Sequence, residues 1–418
     1  MLPGFEVVMP VVEPTLLPAF VGRQPIFDAR QKVQRYELLF HLAEPNPAGD
    51  VDGDQRTAEV VMNAFVEIGL DQVVGPHAAF VNATRRFLVG GFARDLPPDR
   101  VVVEVLEQVP PDEFVVAELR ALRDAGFRVA LDDFVPGSPS EALLDLVQIV
   151  KLDVEALGPV DLPRHVRALR GRKTLVAERL ETQADFERVR ELGFDLFQGF
   201  FLARPTVMAR QRPSASRLAA LRVLTLLDEP NVSYDRLEEA ISCDVTLAMK
   251  VLRVINSAAF GLSRQVESLR QALVLLGQRR VHTWVALTVL AGLNDKPAEL
   301  LTTALVRAKM CEGLGHRSQP ERDHSYFTVG LLSSLDVMLD AQLDDVVASL
   351  PLTEDVASAL TARAGPMGQA LSTALAYENC DWEGVLRAGG HYAPDVLRRT
   401  YLDALAWAAS VLAIQRGA

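Results

Sequence analysis

A chain of 418 residues has material for two or perhaps three domains at roughly 100–200 residues each. Its formal net charge of -12 argues against general nucleic-acid binding, which needs clustered Lys and Arg on phosphates, while 49% hydrophobic and 23% charged residues are ordinary for a globular protein. Three widely spaced cysteines, Cys243, Cys311 and Cys380, make no CxxC pair, which argues against a disulfide framework or a cysteine zinc site and suits a reducing cytoplasm.

Residues 1–19 form an apolar N-terminal extension with no basic start and with four prolines in the first twenty residues, so it does not read as a signal peptide. No run of about 18 uncharged apolar residues occurs, and no membrane span is expected. From residue 20 to 205 short β-branched runs alternate with longer helical patterns. The strand candidates are Ala79–Asn82, Val101–Leu106, Arg128–Asp132, Gln148–Asp153, Thr174–Glu178 and, more weakly, Phe194–Gly199. Between them lie amphipathic stretches such as PDEFVVAELRALRDAG and ETQADFERVRELG, closing on Gly126 and Gly193 as helix C-termini do. This alternation predicts a βα architecture with a mainly parallel sheet.

Each candidate strand carries a polar residue at or near its C-terminal end: Asn82, Glu104, Asp132 with Asp133, Lys151, Glu178 and Gln198. In a closed βα barrel those ends converge on one face, where active sites are built. Any one of them is equally explained as a helix cap or a solvated strand end; the series points to one polar pocket. Carboxylates with an amide are hard oxygen ligands that suit Mg²⁺, Mn²⁺ or Ca²⁺ better than zinc, and pairs of such ions serve phosphodiester hydrolysis. After Pro205 a linker at about 206–216 leads into a sequence that is almost wholly helical in period, read as a separate α-helical domain over 206–418.

The motifs RQPIFD (Arg23–Asp28), YELLFH (Tyr36–His41), FVNAT, VVVEVLE, ALDDF, IVKLD, AERLET and FQGFFLARP, in that order, resemble EAL domains, which are cyclic di-GMP phosphodiesterases. The resemblance covers residues 20–205 and implies a TIM-like (β/α) barrel with an antiparallel strand near its start. It implies metal ligands at Glu37, Asn82, Glu104, Asp132, Asp133 and Glu178, with Glu37, Lys151 and Glu178 in catalysis. Lys151 matches the lysine that helps hold the attacking water. Contacts to the dinucleotide fall to Gln24, Glu37, Leu39, His41, Asp132, Arg179 and Gln198. Glu107 and Glu181 match glutamates that steady the loop after the paired aspartates.

The departures lie around that site. His41 stands where the family has an arginine, and Arg179 where it has a glycine. The loop after the aspartates reads DDFVPGSPS instead of DDFGTG followed by serines, and Pro136 fixes φ and removes an N–H.

Asp244–Val281, with the run Asn256–Gly261, resembles HDOD domains, relatives of HD phosphohydrolases. The His-Asp metal pair of active relatives is absent: Ser333 and Ser334 stand where relatives often have it, and no histidine of the chain directly precedes an aspartate. His282, His316 and His324 read as surface or helix-packing residues. The order of the two halves resembles the bacterial YuxH-like EAL–HDOD proteins. That implies a cytoplasmic regulator whose barrel binds cyclic di-GMP and whose HDOD region, not an enzyme, engages an unidentified protein. Resemblance alone also offers a barrel-mediated homodimer. Two readings of the barrel stay open: metal-assisted binding with weak or absent hydrolysis, or an active phosphodiesterase giving linear pGpG.

Overall fold

The computed structural model describes residues 19–42, 69–202, 223, 226, 232–242, 271, 274, 277, 297–339, 342–348, 350, 352–390 and 392–417. Most of residues 1–19, the linker at 206–216, Asn256–Gly261, His282 and Cys243 therefore lie outside the described residues, as does most of Asp244–Val281.

Eight strands close into a barrel in sequence order: β1 (Ala19–Phe27), β2 (Val33–Leu42), β3 (Ala78–Ala83), β4 (Val101–Val105), β5 (Arg128–Leu131), β6 (Ile149–Asp153), β7 (Thr174–Leu180) and β8 (Leu196–Gly199). β1 runs antiparallel to both neighbours; every other pair is parallel. The helices among the strands include α1 (Leu70–Val74), α2 (Arg85–Val89), α3 (Glu113–Asp124), α4 (Val154–Leu169) and α5 (Gln183–Leu192). The glycine stops fall where the sequence puts them. Gly126 and Gly193 adopt φ of 90° and 98°, and α5 begins in a capping box between Thr182 and Asp185.

Period-two alternation explains the barrel interior. Ile26, Phe80, Val102, Ala130, Ile149, Val176 and Leu196 form a dry layer inside it. On the parallel strands, two residues further along brings the next inward side chain: Asn82, Glu104, Asp132, Lys151, Glu178 and Gln198. On antiparallel β1 the same step runs backwards, from Ile26 to Gln24. A polar layer thus sits directly on an apolar one, at the face where the parallel strands end.

The rest is helical: α6 (Tyr234–Ser242), α7 (Ala298–Ser318), α8 (Asp323–Leu332), α9 (Leu335–Leu339), α10 (Leu343–Ala348), α11 (Glu354–Thr361), α12 (Gly365–Glu378), α13 (Trp382–Gly389) and α14 (Pro394–Gly417). Among the described residues no helix is long and apolar enough to cross a membrane. One continuous cluster of buried apolar side chains runs from the barrel's outer shell into these helices.

The joint is centred on the β1–β2 ribbon. On its outer face Arg23 donates to the Val73 carbonyl at 2.6 Å, lies 4.2 Å from the Tyr36 ring centre and faces Glu299 of α7 at 3.8 Å. The Tyr36 hydroxyl donates to Glu299 at 3.1 Å. Burial raises the Glu299 carboxyl above its ordinary range, with Arg23 and Tyr36 pulling the other way. Glu299→Ala would leave Arg23 buried without its carboxylate and is expected to cost roughly 3–5 kcal/mol. Urea unfolding measures this; a change below about 0.5 kcal/mol would contradict the buried pair.

Candidate metal and ligand site in the barrel mouth

Lys151 stands at the centre of the polar layer. Its side chain is 1% exposed, and its Nζ faces four carboxylates: Glu37 at 3.1 Å, Asp132 at 3.2 Å, Glu178 at 2.8 Å, and Glu104. Burial works against the ammonium, but Glu104, Glu37, Glu178 and Asp132 outweigh it and hold its pKa well above the ordinary lysine value. One cation cannot neutralise four carboxylates. Burial and the neighbouring carboxylates accordingly raise Glu104 well above its usual range, and burial pushes Glu178 up to about 8 against the pull of Lys151.

The second gathering point is Glu37, on β2. It accepts from Lys151, from Gln198 Nε2 at 2.6 Å and, weakly, from Asn82 Nδ2 at 3.5 Å. Gln198 also donates to Gln24 Oε1 at 3.1 Å, which ties β8 to the β1–β2 ribbon. Glu37, Glu104, Lys151, Glu178 and Gln198 are buried, whereas Gln24, Asn82, Asp132 and Asp133 are partly open.

Several oxygens in this layer lack a hydrogen-bond donor: Asn82 Oδ1, Glu104 Oε2, Glu178 Oε2 and Gln198 Oε1 are buried and unsatisfied. Buried polar atoms are normally partnered, and each one left alone costs of order 1–3 kcal/mol. Hard oxygens with surplus negative charge, converging from adjacent strands, fit a divalent cation such as Mg²⁺, Mn²⁺ or Ca²⁺. Closer to solvent, carboxylate oxygens of Glu107, Asp132 and Asp133 lie within 4.8 Å of one another.

The departure at Arg179 meets one of the paired aspartates. Asp133 and Arg179 both have positive φ, 40° and 56°, in the region that favours glycine. Arg179 reaches Asp133 at 3.4 Å and Asp153 at 3.1 Å. Burial and Asp132 raise the Asp133 carboxyl, and Arg179 opposes them. Asp153 also caps α4 through the N–H groups of Glu155 and Ala156. Asp153 is not among the residues the EAL resemblance assigns, yet it ends the same strand as Lys151, two residues on, and that strand-end position is its signal in the sequence.

The loop after the aspartates folds on itself. Gly137, at φ 84°, donates its N–H to Glu141 at 2.7 Å, and the Ser138 and Ser140 hydroxyls lie 2.8 Å apart. The Phe134 N–H donates to the Lys151 carbonyl at 3.0 Å. Glu181 is exposed just past β7. Leu39 and His41 continue the inward face of β2 beyond Glu37, and His41 stacks on Trp382 of α13.

In the helices, Ser333 and Ser334 are buried and each accepts from Arg307 Nη1 at 2.9 Å. The other nitrogens of that guanidinium grip Glu378 at 2.8 and 2.7 Å. An arginine thus fills the neighbourhood of the serine pair. His316 Nδ1 lies 3.1 Å from Asp323, and His324 is partly buried.

Comparison with known proteins finds two domain families and relatives that match most of the chain. The EAL domain family matches residues 51–205, and the HDOD domain family residues 215–355. The cyclic di-GMP phosphodiesterase CdgJ of Vibrio cholerae is 34% identical over 379 residues, 89% of this chain and 88% of CdgJ. The uncharacterized protein YuxH of Bacillus subtilis is 29% identical over 399 residues, 93% of this chain and 97% of YuxH. Among solved structures, Klebsiella pneumoniae BlrP1 with calcium and cyclic di-GMP is 26% identical over 46% of this chain and 58% of that one, at a TM-score of 0.38. The EAL domain of Mycobacterium smegmatis DcpA is 25% identical over 44% of this chain and 92% of that one, at a TM-score of 0.37.

Proposed function

The chain belongs to the EAL–HDOD family of cyclic di-GMP signalling proteins, and from that premise we propose that its barrel binds cyclic di-GMP with a divalent metal and hydrolyses it slowly or not at all. The carrying observation is the surplus of carboxylates around Lys151 together with the donorless oxygens of Asn82, Glu104 and Glu178. Glu37, Asn82, Glu104 and Asp132 would hold one ion; Asp132, Asp133 and Glu178 would hold a second. Mg²⁺ or Mn²⁺ supports turnover, and Ca²⁺ supports binding. Such ions supply Lewis-acid polarisation of a phosphoryl oxygen and a nucleophilic water near neutral pH.

The chain's own residues do the rest. Lys151 steadies the four carboxylates and, by resemblance, would help hold the attacking water. Gln198 and Gln24 fix the orientation of Glu37. Glu107 lies just past β4, next to the strand that leads into the paired aspartates, and Glu181 just past β7; by resemblance both would steady the loop that follows the aspartates.

The reason for slow turnover is Arg179. Its guanidinium pairs with Asp133, one of the two aspartates a second ion would need. Arg179→Gly is expected to relieve the backbone at φ 56° and tighten binding of the second Mn²⁺ by about 2- to 5-fold, the worth of an exposed ion pair. Mn²⁺ titration followed by electron paramagnetic resonance reads this, and equal stoichiometry and affinity in both proteins would rule it out.

The HDOD region, without a His-Asp pair, carries signal to a protein partner. A second reading, full phosphodiesterase activity giving linear pGpG, is favoured by the resemblance to CdgJ. Calorimetry with cyclic di-GMP under Mg²⁺, Mn²⁺ or Ca²⁺, with chromatography of product, separates the two. Tight binding with little product is the expected result; rapid pGpG formation would establish the second reading, and no binding under any metal would remove both.

A further inference from the structure

The β1–β2 ribbon runs past the barrel rim on the side where the metal-site residues gather. Gln24 pairs across it with Glu37, Gly22 with Leu39, and Phe20 with His41. By the pleat, Phe20, Gly22 and Gln24 share one face with Glu37, Leu39 and His41. That face is covered. Trp382 lies parallel to the Phe20 ring, with centres 5.3 Å apart and 3° between planes, and parallel to the His41 ring at 5.8 Å and 10°. A Cβ added at Gly22 would collide with Cys380 Sγ and lie 3.0 Å from the Trp382 ring.

The cover is anchored. The Tyr377 hydroxyl donates to the Val21 carbonyl at 3.3 Å and accepts from its N–H at 3.4 Å. β8 pairs with β1 only at Ile26 and Phe27, so Tyr377 satisfies backbone groups beyond the end of that pairing. Cys380 makes the tight turn between α12 and α13 at φ 55°. Its thiol is pushed up to about 12 by burial, with the Glu37 and Glu378 carboxylates adding to the effect. Glu378, the last residue of α12, is gripped by Arg307, which also holds Ser333 and Ser334. The turn is therefore fixed to the interior of the helices.

We propose that the Tyr377–Trp382 turn is a built-in cover on the barrel mouth, seated on the ribbon face next to Glu37 and Gln24, so that the helices and cyclic di-GMP compete for that face. The inference rests on the barrel being a dinucleotide site, which gives Leu39 and His41 to the ligand. A planar guanine cannot pass between Gly22 and Cys380 while they are in contact. Binding must lift Trp382 from His41 and Phe20, and the apparent affinity is reduced by the fraction of molecules in which the cover is closed.

Two measurements on the full chain with Ca²⁺ and cyclic di-GMP test this. Trp382→Ala is expected to tighten binding by about five-fold or more, since it removes two aromatic contacts from the closed form. Equal or weaker binding overturns the cover; weaker binding would make Trp382 a stacking wall for the ligand. The second measurement does not depend on that variant folding. Acrylamide quenching of the native chain, minus that of Trp382→Phe, isolates Trp382 among the three tryptophans. Quenching should rise when ligand is added, and an unchanged or smaller value overturns the proposal. Binding with no effect of Trp382 in either test sinks the cover but leaves the dinucleotide site standing; no binding by any of the proteins sinks both.

Discussion

Lys151→Met is expected to destabilise the metal-free chain by roughly 3–5 kcal/mol at pH 8, because four carboxylates around one site lose the cation they share. The size of the loss should depend on pH, and its sign follows from linkage. Glu104 and Glu178 are held above the ordinary carboxyl range in the fold, Glu178 at about 8. Between the ordinary carboxyl value of about 4.3 and about 8 the folded chain therefore keeps protons that the unfolded chain releases. Their contribution to stability is fully present below the unfolded value and is lost as pH rises through the folded one. Without Lys151 the carboxyls move further up, and the slope steepens. Near pH 5 proton uptake softens the substitution; its cost is larger at pH 8 and keeps growing as pH rises through the raised carboxyl values. Saturating Mn²⁺ should recover much of the difference, since a divalent ion replaces the missing charge. Urea unfolding at pH 5 and pH 8, with and without Mn²⁺, checks all three arms. A deficit equal at both pH values, and untouched by metal, would mean that Lys151 acts by packing alone.

The core of the site is legible in the sequence for a topological reason. In a parallel barrel one face collects every strand's C-terminal end, so a polar residue at or near each end, read off in one dimension, already forms a cluster in three. The fixed offset of two between Phe80 and Asn82, Val102 and Glu104, or Val176 and Glu178 is the pleat itself. Strand ends read from the sequence run one residue long at Leu106 and Asp132, where the chain leaves the sheet for the loops that carry Glu107 and Asp133.

β1 and β2 were less legible. Alternation in RQPIFD and YELLFH is spoiled because the ribbon is buried on both faces, by the barrel interior or Trp382 on one side and by Glu299 on the other. These strands emerged through resemblance to EAL domains. The grip of Arg307 on Ser333, Ser334 and Glu378 spans up to 71 positions in the chain and leaves no periodic trace. The stack of Trp382 on His41 is equally silent. A long-range contact that joins two separately patterned halves is set by surface complementarity, which composition and period do not encode.

Glu37→Gln tests the other gathering point with a side chain of the same shape. The carboxylate accepts from Lys151 on Oε2, from Gln198 on Oε2 and from Asn82 on Oε1. An amide has one oxygen and one NH₂, so it must point donors at Asn82 or at Lys151 and Gln198, while removing a unit of charge from the proposed metal site. The fold should survive, because Gln fills the same volume on a strand held on both edges by β1 and β3. Metal binding should weaken by about 10- to 100-fold, the range found when a metal's supporting groups are disturbed. Residual hydrolysis of cyclic di-GMP should fall by about 10²–10³-fold, as when a charge-stabilising group is lost from an active site. Mn²⁺ titration and product chromatography on the same sample give both numbers, with thermal melting as the control for folding. Loss of turnover with metal binding intact would move Glu37 from ligand to positioning residue. Turnover and metal binding both at native level would place the centre elsewhere on the barrel mouth, nearer the Glu107, Asp132 and Asp133 carboxylates.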